Sequence, residues 1–474
     1  MKVLLTGATG YIGKRLLPVL VEKGHTVVCC VRDAKKFHPS KSILNKIQII
    51  ENDLTSKESL DNIPYDIDCA YYLVHSMSTT KNYEDLEKLS AINFREALRK
   101  TNISQVIYLS GIINSDTLSK HLNSRKNVEI ELSKGNYALT TLRAGIIIGS
   151  GSASFEIIRD LIEKLPIMVA PKWLKTKCQP IAISDVITIL TGVLQNPRTY
   201  NTNFDIGGKD ILTYKDMLLK YASVRGLQRY IVTVPIMSPR LSSYWLYFVT
   251  STSYTLASSL VDSMKIEVIA KNNDINIILG IQPLSYEESI QRAFRKIADN
   301  EIVSSWKDST VSGRLDYKIS DYIQIPKFGC YTDIRKKYCT NSSVCIDKIW
   351  RIGGSNGWYY AQWLWVLRGC FDKLIGGVGL QRGRTSETTI HTGDTLDFWR
   401  VLYANKQEGR LVLFAEMKIP GEAWLEFRFE DNYIIQTATF RPKGIGGRLY
   451  WFMIQPFHIL IFGGLLKKIT QETT

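Results

Sequence analysis

The opening residues carry the clearest chemical signal in this sequence. Residues 6–13 read Thr-Gly-Ala-Thr-Gly-Tyr-Ile-Gly, directly after a short apolar run and directly before a helical pattern. In a strand–turn–helix connection of this kind, Gly7 permits a tight turn, Gly10 lets the backbone approach a diphosphate, and Gly13 lets the helix pack close to the strand. The free amides at the start of the helix then favour an anion. This turn predicts a dinucleotide site formed by Thr6, Gly7, Thr9, Gly10, Tyr11, Ile12 and Gly13.

The end of the second predicted strand bears on which dinucleotide is bound. Arg32 and Asp33 follow one another there. An arginine at this position accommodates the 2′-phosphate of NADP(H), whereas an acidic residue hydrogen-bonds the ribose 2′-hydroxyl of NAD(H). Because Arg32 comes first after the strand, the sequence favours NADP(H) as the cofactor. Asp33 directly after it leaves NAD(H) as the alternative cofactor.

Asp53 and Leu54 follow the third predicted strand and complete the predicted cofactor site. The Asp53 carboxylate can reach the adenine edge of a bound nucleotide. It can equally cap the start of a helix, and the two roles are compatible.

These residues need a scaffold that brings them to one edge. Residues 1–150 alternate short β-branched runs with longer amphipathic stretches, a pattern typical of a parallel sheet with helical crossovers. In a doubly wound parallel α/β sheet the ligand crevice lies outside the carboxyl ends of the strands. The predicted strands are residues 2–5, 26–31, 48–51, 69–73, 105–109 and 139–143.

Further motifs resemble those of an atypical or extended short-chain dehydrogenase/reductase. The resemblance covers roughly residues 1–300 and implies a Rossmann-type NAD(P)-binding domain with a substrate lobe in its second half. Two additional segments, 75–77 and 149–155, are similar to a bacterial branch of two-domain members. The motifs that carry the family resemblance are Tyr108-Leu-Ser-Gly111, Leu142-Arg-Ala-Gly-Ile-Ile-Ile-Gly149, Gln179-Pro-Ile-Ala-Ile-Ser-Asp-Val186 and Phe204-Asp-Ile-Gly-Gly208.

The sequence departs from the catalytic pattern that this resemblance implies. The family commonly uses a Tyr-x-x-x-Lys pair with an upstream serine to move a proton to a carbonyl. The corresponding segment here runs from His121 to Arg125, which share one helical face. Ser110 takes the serine position, His121 is a candidate proton donor with a reference pKa near ~6.5, and Arg125 is a candidate cation for ribose or phosphate. The alternative is that Arg125 pairs with Glu129 and His121 is an ordinary polar residue.

The composition changes after about residue 300, where eight of the ten tryptophans lie. Alternating apolar and polar residues in 411–418 and 423–430 predict an antiparallel sheet closed by a helix. Residues from about 330 onward resemble an α+β helix-grip domain of the polyketide-cyclase or START-like kind, which implies a hydrophobic ligand cavity; an aromatic core without a ligand is the alternative. The predicted domains are 1–300 and 328–474, with a linker at 301–327. The tryptophans expected to line the cavity are Trp358, Trp363, Trp365, Trp399 and Trp424.

The remaining features constrain partners and location. Residues 449–466 are apolar but just short of the ~20 residues that span a bilayer, so a helix covering the cavity is favoured, with weak peripheral membrane contact as the alternative. The net charge of +15 is spread along the chain, which argues against nucleic-acid binding. The eight cysteines lack zinc-like spacing, so they are expected to be reduced core thiols, with no metal site. A cytoplasmic location is expected because no signal-peptide core is present at the start.

Together these features predict an NAD(P)H-binding oxidoreductase that acts on a bulky hydrophobic carbonyl or quinone-like substrate. The missing Tyr and Lys leave open a redox sensor that binds NADP(H) without turnover. The second domain leaves open a carrier of a lipid or isoprenoid. The oligomeric state is not predicted.

Overall fold

The chain forms two compact units, Met1–Gly313 and Arg314–Thr474, in a computed structural model. The predicted linker 301–327 and the segment 75–77 lie outside the residues that the structure describes. Those residues are 1–34, 37, 39, 41–74, 83–114, 120–150, 152–234, 258, 261–262, 264–271, 274–298, 330–379, 389–442 and 444–471.

The N-terminal unit alternates strands and helices along its first two hundred residues. Its strands and helices, in chain order, are β1 (Lys2–Thr6), α1 (Tyr11–Glu22), β2 (Thr26–Val31), α2 (Lys41–Leu44), β3 (Ile47–Glu51), β4 (Cys69–Tyr72), α3 (Tyr83–Leu98), β5 (Gln105–Gly111), α4 (Lys120–Leu132), β6 (Ala138–Ala144), β7 (Ile147–Ile148), α5 (Ala153–Lys164), β8 (Ile167–Pro171), β9 (Lys177–Cys178), β10 (Ile181–Ala182), α6 (Ile183–Gly192), β11 (Thr202–Ile206), β12 (Leu212–Thr213), α7 (Tyr214–Val224), β13 (Tyr230–Val234), α8 (Ile275–Leu279) and α9 (Tyr286–Ala298).

Seven of these strands form one parallel sheet in the order β11-β6-β5-β4-β1-β2-β3. β1 pairs in parallel with β2 on one side and with β4 on the other, so the strand order reverses between β1 and β4. This reversal is the point at which open α/β sheets leave a ligand crevice. The predicted doubly wound sheet is confirmed, and all six predicted strands are present with ends shifted by at most two residues.

Helices cover both faces of this sheet. Side chains alternate along a strand, so Val3 and Leu5 pack in a core with α1 and α6, whereas Leu4 packs in a second core with α3 and α4. All three side chains are fully buried. Burial on both faces explains why the strands read as nearly continuous apolar runs.

A smaller lobe follows the sheet and has its own core, to which α5, α7 and α9 contribute. Gln179 fixes this lobe to the end of β11, since its amide Nε2 donates to the carbonyl of Gly208 at 2.7 Å. Its Oε1 accepts from the backbone amide of Ala270 at 3.0 Å. Two motifs that are separate in the sequence therefore meet at the edge of the crevice.

The C-terminal unit is a six-stranded antiparallel sheet with three helices among the described residues, which confirms the predicted antiparallel sheet. The sheet order is β14-β19-β18-β17-β16-β15 for the strands named below. The last helix buries Trp451, Phe462 and Leu465 in the same core as Leu413 and Leu425. The elements are β14 (Tyr331–Tyr338), α10 (Ser342–Ile349), α11 (Gln362–Leu374), β15 (Thr395–Leu396), β16 (Trp399–Asn405), β17 (Arg410–Ala415), β18 (Gly421–Glu430), β19 (Tyr433–Pro442) and α12 (Gly444–Thr470).

The expectation that all eight cysteines are reduced is wrong for one pair. Cys339 and Cys345 form a disulfide across the turn between β14 and α10. The turn brings two residues that are six positions apart to a Cα–Cα distance of 6.9 Å, and both side chains are buried. The other six cysteines form no disulfide among the described residues; four of them are buried, whereas Cys330 is half-buried and Cys370 is exposed on α11, so the expectation of core thiols is also wrong for these two. Spacing alone did not reveal the pair, because the turn between strand and helix sets its geometry.

Candidate active site

The glycine turn between β1 and α1 packs backbone against backbone. Gly7 has a φ of +70°, and a Cβ on it would lie 2.7 Å from the carbonyl oxygen of Leu73, which follows β4. A Cβ on Gly13 would lie 2.2 Å from the carbonyl oxygen of Gly7. The amide of Gly10 donates to that same carbonyl at 2.9 Å. The turn therefore lies at the reversal of strand order, and Gly7 and Gly13 have no room for a side chain, whereas a Cβ on Gly10 would lie 3.1 Å from the Gly7 carbonyl oxygen and needs only a small adjustment.

The start of α1 is open to an anion. Gly10 is its N-cap, with an extended backbone, and offers no side chain to the first-turn amides, and this turn contains no acidic residue. The amides therefore present partial positive charge to whatever lies in front of them. The glycine turn leaves backbone space that a side chain would otherwise occupy, and it lies at a helix start without a side-chain cap. Such a site fits the diphosphate of a dinucleotide.

The Thr6 side chain serves the sheet rather than the crevice. Its hydroxyl donates to the carbonyl of Tyr71 at 2.9 Å and accepts from the amide of Leu73 at 3.3 Å. Thr6 thus joins β1 to β4 and holds the following turn in place.

Tyr11 fixes the other side of the turn, toward the loop after β7. The guanidinium of Arg15 stacks over the Tyr11 ring at 4.1 Å and donates to the carbonyl of Ser150 at 2.7 Å. A Cβ on Gly149 would lie 2.6 Å from the Tyr11 hydroxyl. Burial raises the pKa of Tyr11 to about 12, with Arg15 opposing the shift. Ile12 packs against the α1 core, and Thr9 is half-buried.

The residues predicted to meet the adenosine end follow β2 and β3. Arg32 is exposed immediately after β2, and Asp33 beside it is buried. Asp53 is exposed after β3, but its Oδ1 accepts from the amide and the hydroxyl of Thr55 at 2.9 and 2.8 Å. The Asp53 carboxylate therefore stabilises a local turn and does not cap the start of a helix. Leu54 is buried in the core that also contains residues of α3.

Ser110 and Tyr108 lie on one face near the carboxyl end of β5. Ser110 is buried, and its hydroxyl makes no hydrogen bond of acceptable geometry with the described residues. The Tyr108 hydroxyl donates to the carbonyl of Arg125 at 3.3 Å. Burial raises the pKa of Tyr108 to about 12, while Arg125 and the nearby Ser110 hydroxyl act in the opposite direction. Tyr108 is therefore neutral at pH 7 and a weak acid.

Arg125 lies against the end of β5 instead of pairing along its own helix. Its Nη1 donates to the carbonyl of Leu109 at 3.3 Å, and its buried Nε has no partner within the described part of the chain. The alternative pairing with Glu129 is wrong, because Arg143 binds both oxygens of that carboxylate at 2.6 and 3.1 Å. The structure therefore places an arginine donor beside the crevice.

The third predicted catalytic residue is only partly described. His121 is the second residue of α4, and its side chain lies outside the described residues. Three positions later, the buried Ser124 hydroxyl donates to the Glu87 carboxylate of α3. This pair was not predicted from the sequence, although Ser124 and His121 are three positions apart and lie near the same face of α4.

Each of the two units matches a different known sequence family. Residues 7–145 match a sequence family described as NAD(P)H-binding. Residues 7–145 of the N-terminal unit therefore resemble an NAD(P)H-binding domain, and the sheet that contains them has a Rossmann-like fold. Residues 330–465 match DUF2867, a family described as being of unknown function.

Two curated relatives and one solved structure resemble the Rossmann domain and its lobe. The 40 kDa subunit of mitochondrial NADH-ubiquinone oxidoreductase from Neurospora crassa is 25% identical over 214 residues, which are 44% of this chain and 56% of that protein. Photosystem II assembly factor Ycf39 from Trieres chinensis is 23% identical over 248 residues, 51% of this chain and 75% of its own length. Triphenylmethane reductase from Citrobacter sp. shares the fold, with a TM-score of 0.51 and 16% identity over 62% of this chain and 100% of the reductase.

The parallel sheet brings the candidate residues of the Rossmann domain to one edge. The glycine turn follows β1, Arg32 follows β2, and Ser110 is near the end of β5, three strands that all run in the same direction. A dinucleotide with its diphosphate at α1 would extend toward Arg32 on one side and toward Ser110 on the other. Within the described residues, no cluster of His, Cys, Asp or Glu is placed to hold a metal ion.

The C-terminal unit contains a second candidate site inside its core. Gln436 faces inward on β19 between Ile434 and Ala438, and neither atom of its amide has a hydrogen-bond partner in the described ranges. His458 Nδ1 on α12 is likewise unpaired there. Burial lowers the pKa of His458 to about 4, with Asp333 raising and Arg335 further lowering it. The imidazole is therefore neutral at pH 7.

The tryptophans divide between the core and other surfaces. Trp365 and Trp399 are buried in the core, and neither indole N–H has a partner among the described residues. Trp358 lies between them and donates to Asp397 Oδ2 at 2.8 Å. The expectation was wrong for Trp363, which is exposed on α11, and for Trp424, which packs against Phe414 on the opposite face of the sheet because strand side chains alternate.

Proposed function

We propose that the chain is an NADP(H)-dependent oxidoreductase acting on a bulky hydrophobic carbonyl or quinone-like substrate. The observation that carries the proposal is the uncapped start of α1 behind Gly7, Gly10 and Gly13, where backbone amides face the crevice. The exposed guanidinium of Arg32 supports NADP(H), because an arginine at the end of this strand can pair with the 2′-phosphate.

The chemistry follows from what lies at the end of β5. A nicotinamide, when bound, exchanges a hydride with the substrate. The Ser110 hydroxyl and the Arg125 Nε are buried donors without described partners, and they can orient a carbonyl oxygen and stabilise negative charge on it. Carbonyl reduction also needs a proton, and His121 is the candidate donor from its place on α4.

The test uses the full chain with NADPH and a panel of aldehydes, ketones and quinones that carry large apolar groups. Gly10→Asp is the comparison variant. An aspartate is a good N-cap, so the variant should fold, while its carboxylate repels a diphosphate. We expect NADPH consumption with at least one acceptor, lost in Gly10→Asp and reduced about 10- to 100-fold in Ser110→Ala. Tight NADPH binding with no turnover above Gly10→Asp would contradict the enzyme and favour a redox sensor.

For the C-terminal unit we propose a helix-grip architecture that binds an apolar, lipid- or isoprenoid-like molecule with a polar end. Unpaired polar atoms on Gln436, His458, Trp365 and Trp399 support this proposal, because an unpaired buried polar group costs about 1–3 kcal/mol and a ligand could supply the missing partners. Native mass spectrometry of the protein as extracted from cells should detect a bound molecule that Gln436→Leu loses. If native mass spectrometry detects only the mass of the ligand-free protein, for the unmodified chain as well as for Gln436→Leu, the carrier role is contradicted.

A further inference from the structure

Two helices of the C-terminal unit carry wide apolar faces that the described structure leaves exposed. The residues of both faces are between 46% and 67% exposed, far above what a core helix shows. At 100° per residue, each set falls on a single side of its helix. The face of α12 consists of Leu449, Phe452, Met453, Phe457, Ile459 and Leu460. The face of α11 consists of Trp363, Val366, Leu367, Phe371 and Leu374.

Contacts place the start of α11 beside the end of α12 and connect the end of α11 to the start of α12 through Lys418 and Pro420, so the two helices run in opposite directions. Just before α11, the Tyr360 ring lies where a Cβ on Gly464 of α12 would be, at 2.1 Å. After α11, the carbonyl of Ile375 accepts from Lys418 Nζ at 3.0 Å, and two residues later the carbonyl of Pro420 would lie 2.3 Å from a Cβ on Gly447. The start of one helix is thus beside the end of the other.

Both helices turn their inner faces to the same core. Trp365 of α11 and Phe462 of α12 lie within it with ring centroids 6.2 Å apart. Their outer faces lie opposite to this core, and we call the two outer faces together the α11–α12 surface.

The exposed charges at the ends of the α11–α12 surface are positive. Arg448 lies at the start of α12 and Lys467 and Lys468 at its end, all three exposed. Lys418, beside the end of α11, is also exposed. The sole acidic residue in either helix is Asp372, which is fully buried. An apolar face bounded by cations complements an anionic lipid surface.

The packing of α12 distinguishes lying on a membrane from crossing it. Residues Gly446–Thr470 are long and apolar enough to span a bilayer by length and composition. However, Trp451 stacks on Phe440 at 5.7 Å and, with Phe462 and Leu465, is buried in the core. Withdrawing the helix into lipid would expose that core to water. An antiparallel pairing of two copies is also disfavoured, because it brings Arg448 of one copy beside Lys467 and Lys468 of the other.

We propose that the α11–α12 surface docks this protein peripherally on membranes containing anionic lipids, with both helices lying in the plane of the interface. This inference does not depend on the proposed oxidoreductase activity. Docking would bring the C-terminal unit to the phase in which apolar molecules dissolve.

The test is flotation of the full chain with vesicles of phosphatidylcholine alone or with added phosphatidylglycerol. We expect binding to the anionic vesicles that weakens as salt is raised, and at least tenfold weaker binding by the double variant Phe452→Ser, Phe457→Ser. Lys467→Gln with Lys468→Gln should remove most of the preference for anionic lipid. Ile277→Ser, at an 80% exposed apolar residue of the N-terminal unit, is the matched control and should bind like the unmodified protein.

Three results would overturn the proposal. The first is equal binding by the serine double variant and the control. The second is absence of binding to either kind of vesicle. Sedimentation of the protein without lipid would then show whether the surface is simply exposed in a monomer or covered in a dimer that the serine double variant abolishes, and either result counts against membrane docking. The third is attachment that survives high salt and alkaline washing, which would indicate a spanning helix. Circular dichroism and NADPH binding of each variant check that its fold is retained.

Discussion

Arg32 is exposed at the end of β2 while Asp33 is buried beside it, and this difference makes a prediction about cofactor choice. We expect Arg32→Ala to raise the Kd for NADPH about 10- to 100-fold, because a charge-assisted contact with the 2′-phosphate contributes about 1.5–3 kcal/mol. The Kd for NADH should change less than about threefold, since that cofactor lacks the phosphate. Isothermal titration of both nucleotides provides the measurement, with the exposed Lys57→Ala as control. Equal losses for the two nucleotides would contradict the role of Arg32.

His458 gives a pH-dependent prediction for the stability of the C-terminal unit. Burial lowers its pKa from 6.5 to about 4 in the folded chain, so the unfolded chain binds more protons between those values. The free energy of unfolding should therefore be largest above about pH 6.5 and decrease as the pH falls toward 4, by up to about 3 kcal/mol.

Tryptophan fluorescence during urea unfolding can measure this decrease, because most of the tryptophans lie in the C-terminal region. His458→Leu should flatten the dependence in that pH window while leaving the carboxylate titration at lower pH. An unchanged slope in this variant would assign the effect to other groups, such as the Asp333–Arg335 pair that faces the imidazole.

At the scale of elements, the junction of β1 and α1 depends on one close approach. A Cβ on Gly13 would lie 2.2 Å from the Gly7 carbonyl, so Gly13→Ala must displace the turn or the helix. We expect a loss of about 1–3 kcal/mol in stability and at least about tenfold weaker NADPH binding. Gly446→Ala is the matched control, since its Cβ meets nothing within 4 Å. Thermal unfolding measures the stability of the two variants, and titration with NADPH measures their affinity. Equal stability and equal affinity in Gly13→Ala and Gly446→Ala would show that the turn can accommodate a methyl group at position 13.

The parallel sheet was predictable because each of its first six strands is a short apolar run bounded by turn residues, and burial on both faces requires such runs. That pattern also placed the glycine turn, Arg32 and Ser110 at the carboxyl ends of strands, where the structure has them. Pairings between distant elements were not predictable. Arg143 is fourteen residues from Glu129 along the chain, yet β6 and α4 bring the two together, and this contact leaves Arg125 beside β5.

In the C-terminal unit, strand alternation predicted an antiparallel sheet but not which surfaces are covered. Trp363 and Trp365 are two positions apart on α11, so they point to different sides of the helix. One is exposed and the other is buried in the core. The sequence shows that both tryptophans lie on α11, but it does not show which side of this helix packs against the sheet, so it could not predict which of the two is buried.

At the scale of the whole molecule, the two units offer different kinds of chemistry. The N-terminal unit presents backbone amides and an exposed arginine at one edge of a parallel sheet. The C-terminal unit holds unpaired polar groups within an aromatic core and exposes two apolar helical faces. A reductase of membrane-derived apolar compounds would use both sets of features, and this expectation connects the proposals made for each unit.

The proposed function depends on the binding of a nicotinamide dinucleotide through its diphosphate to backbone amides at the start of α1. Calorimetric titration of the full chain with NADPH and with NADH tests it most directly, with Gly10→Asp in parallel. We predict saturable heat with a Kd in the micromolar range, about −8 kcal/mol, for at least one nucleotide and none for Gly10→Asp at equal thermal stability. The absence of heat with both nucleotides, or binding by Gly10→Asp as tight as that of the unmodified chain, would show that these amides do not bind a dinucleotide.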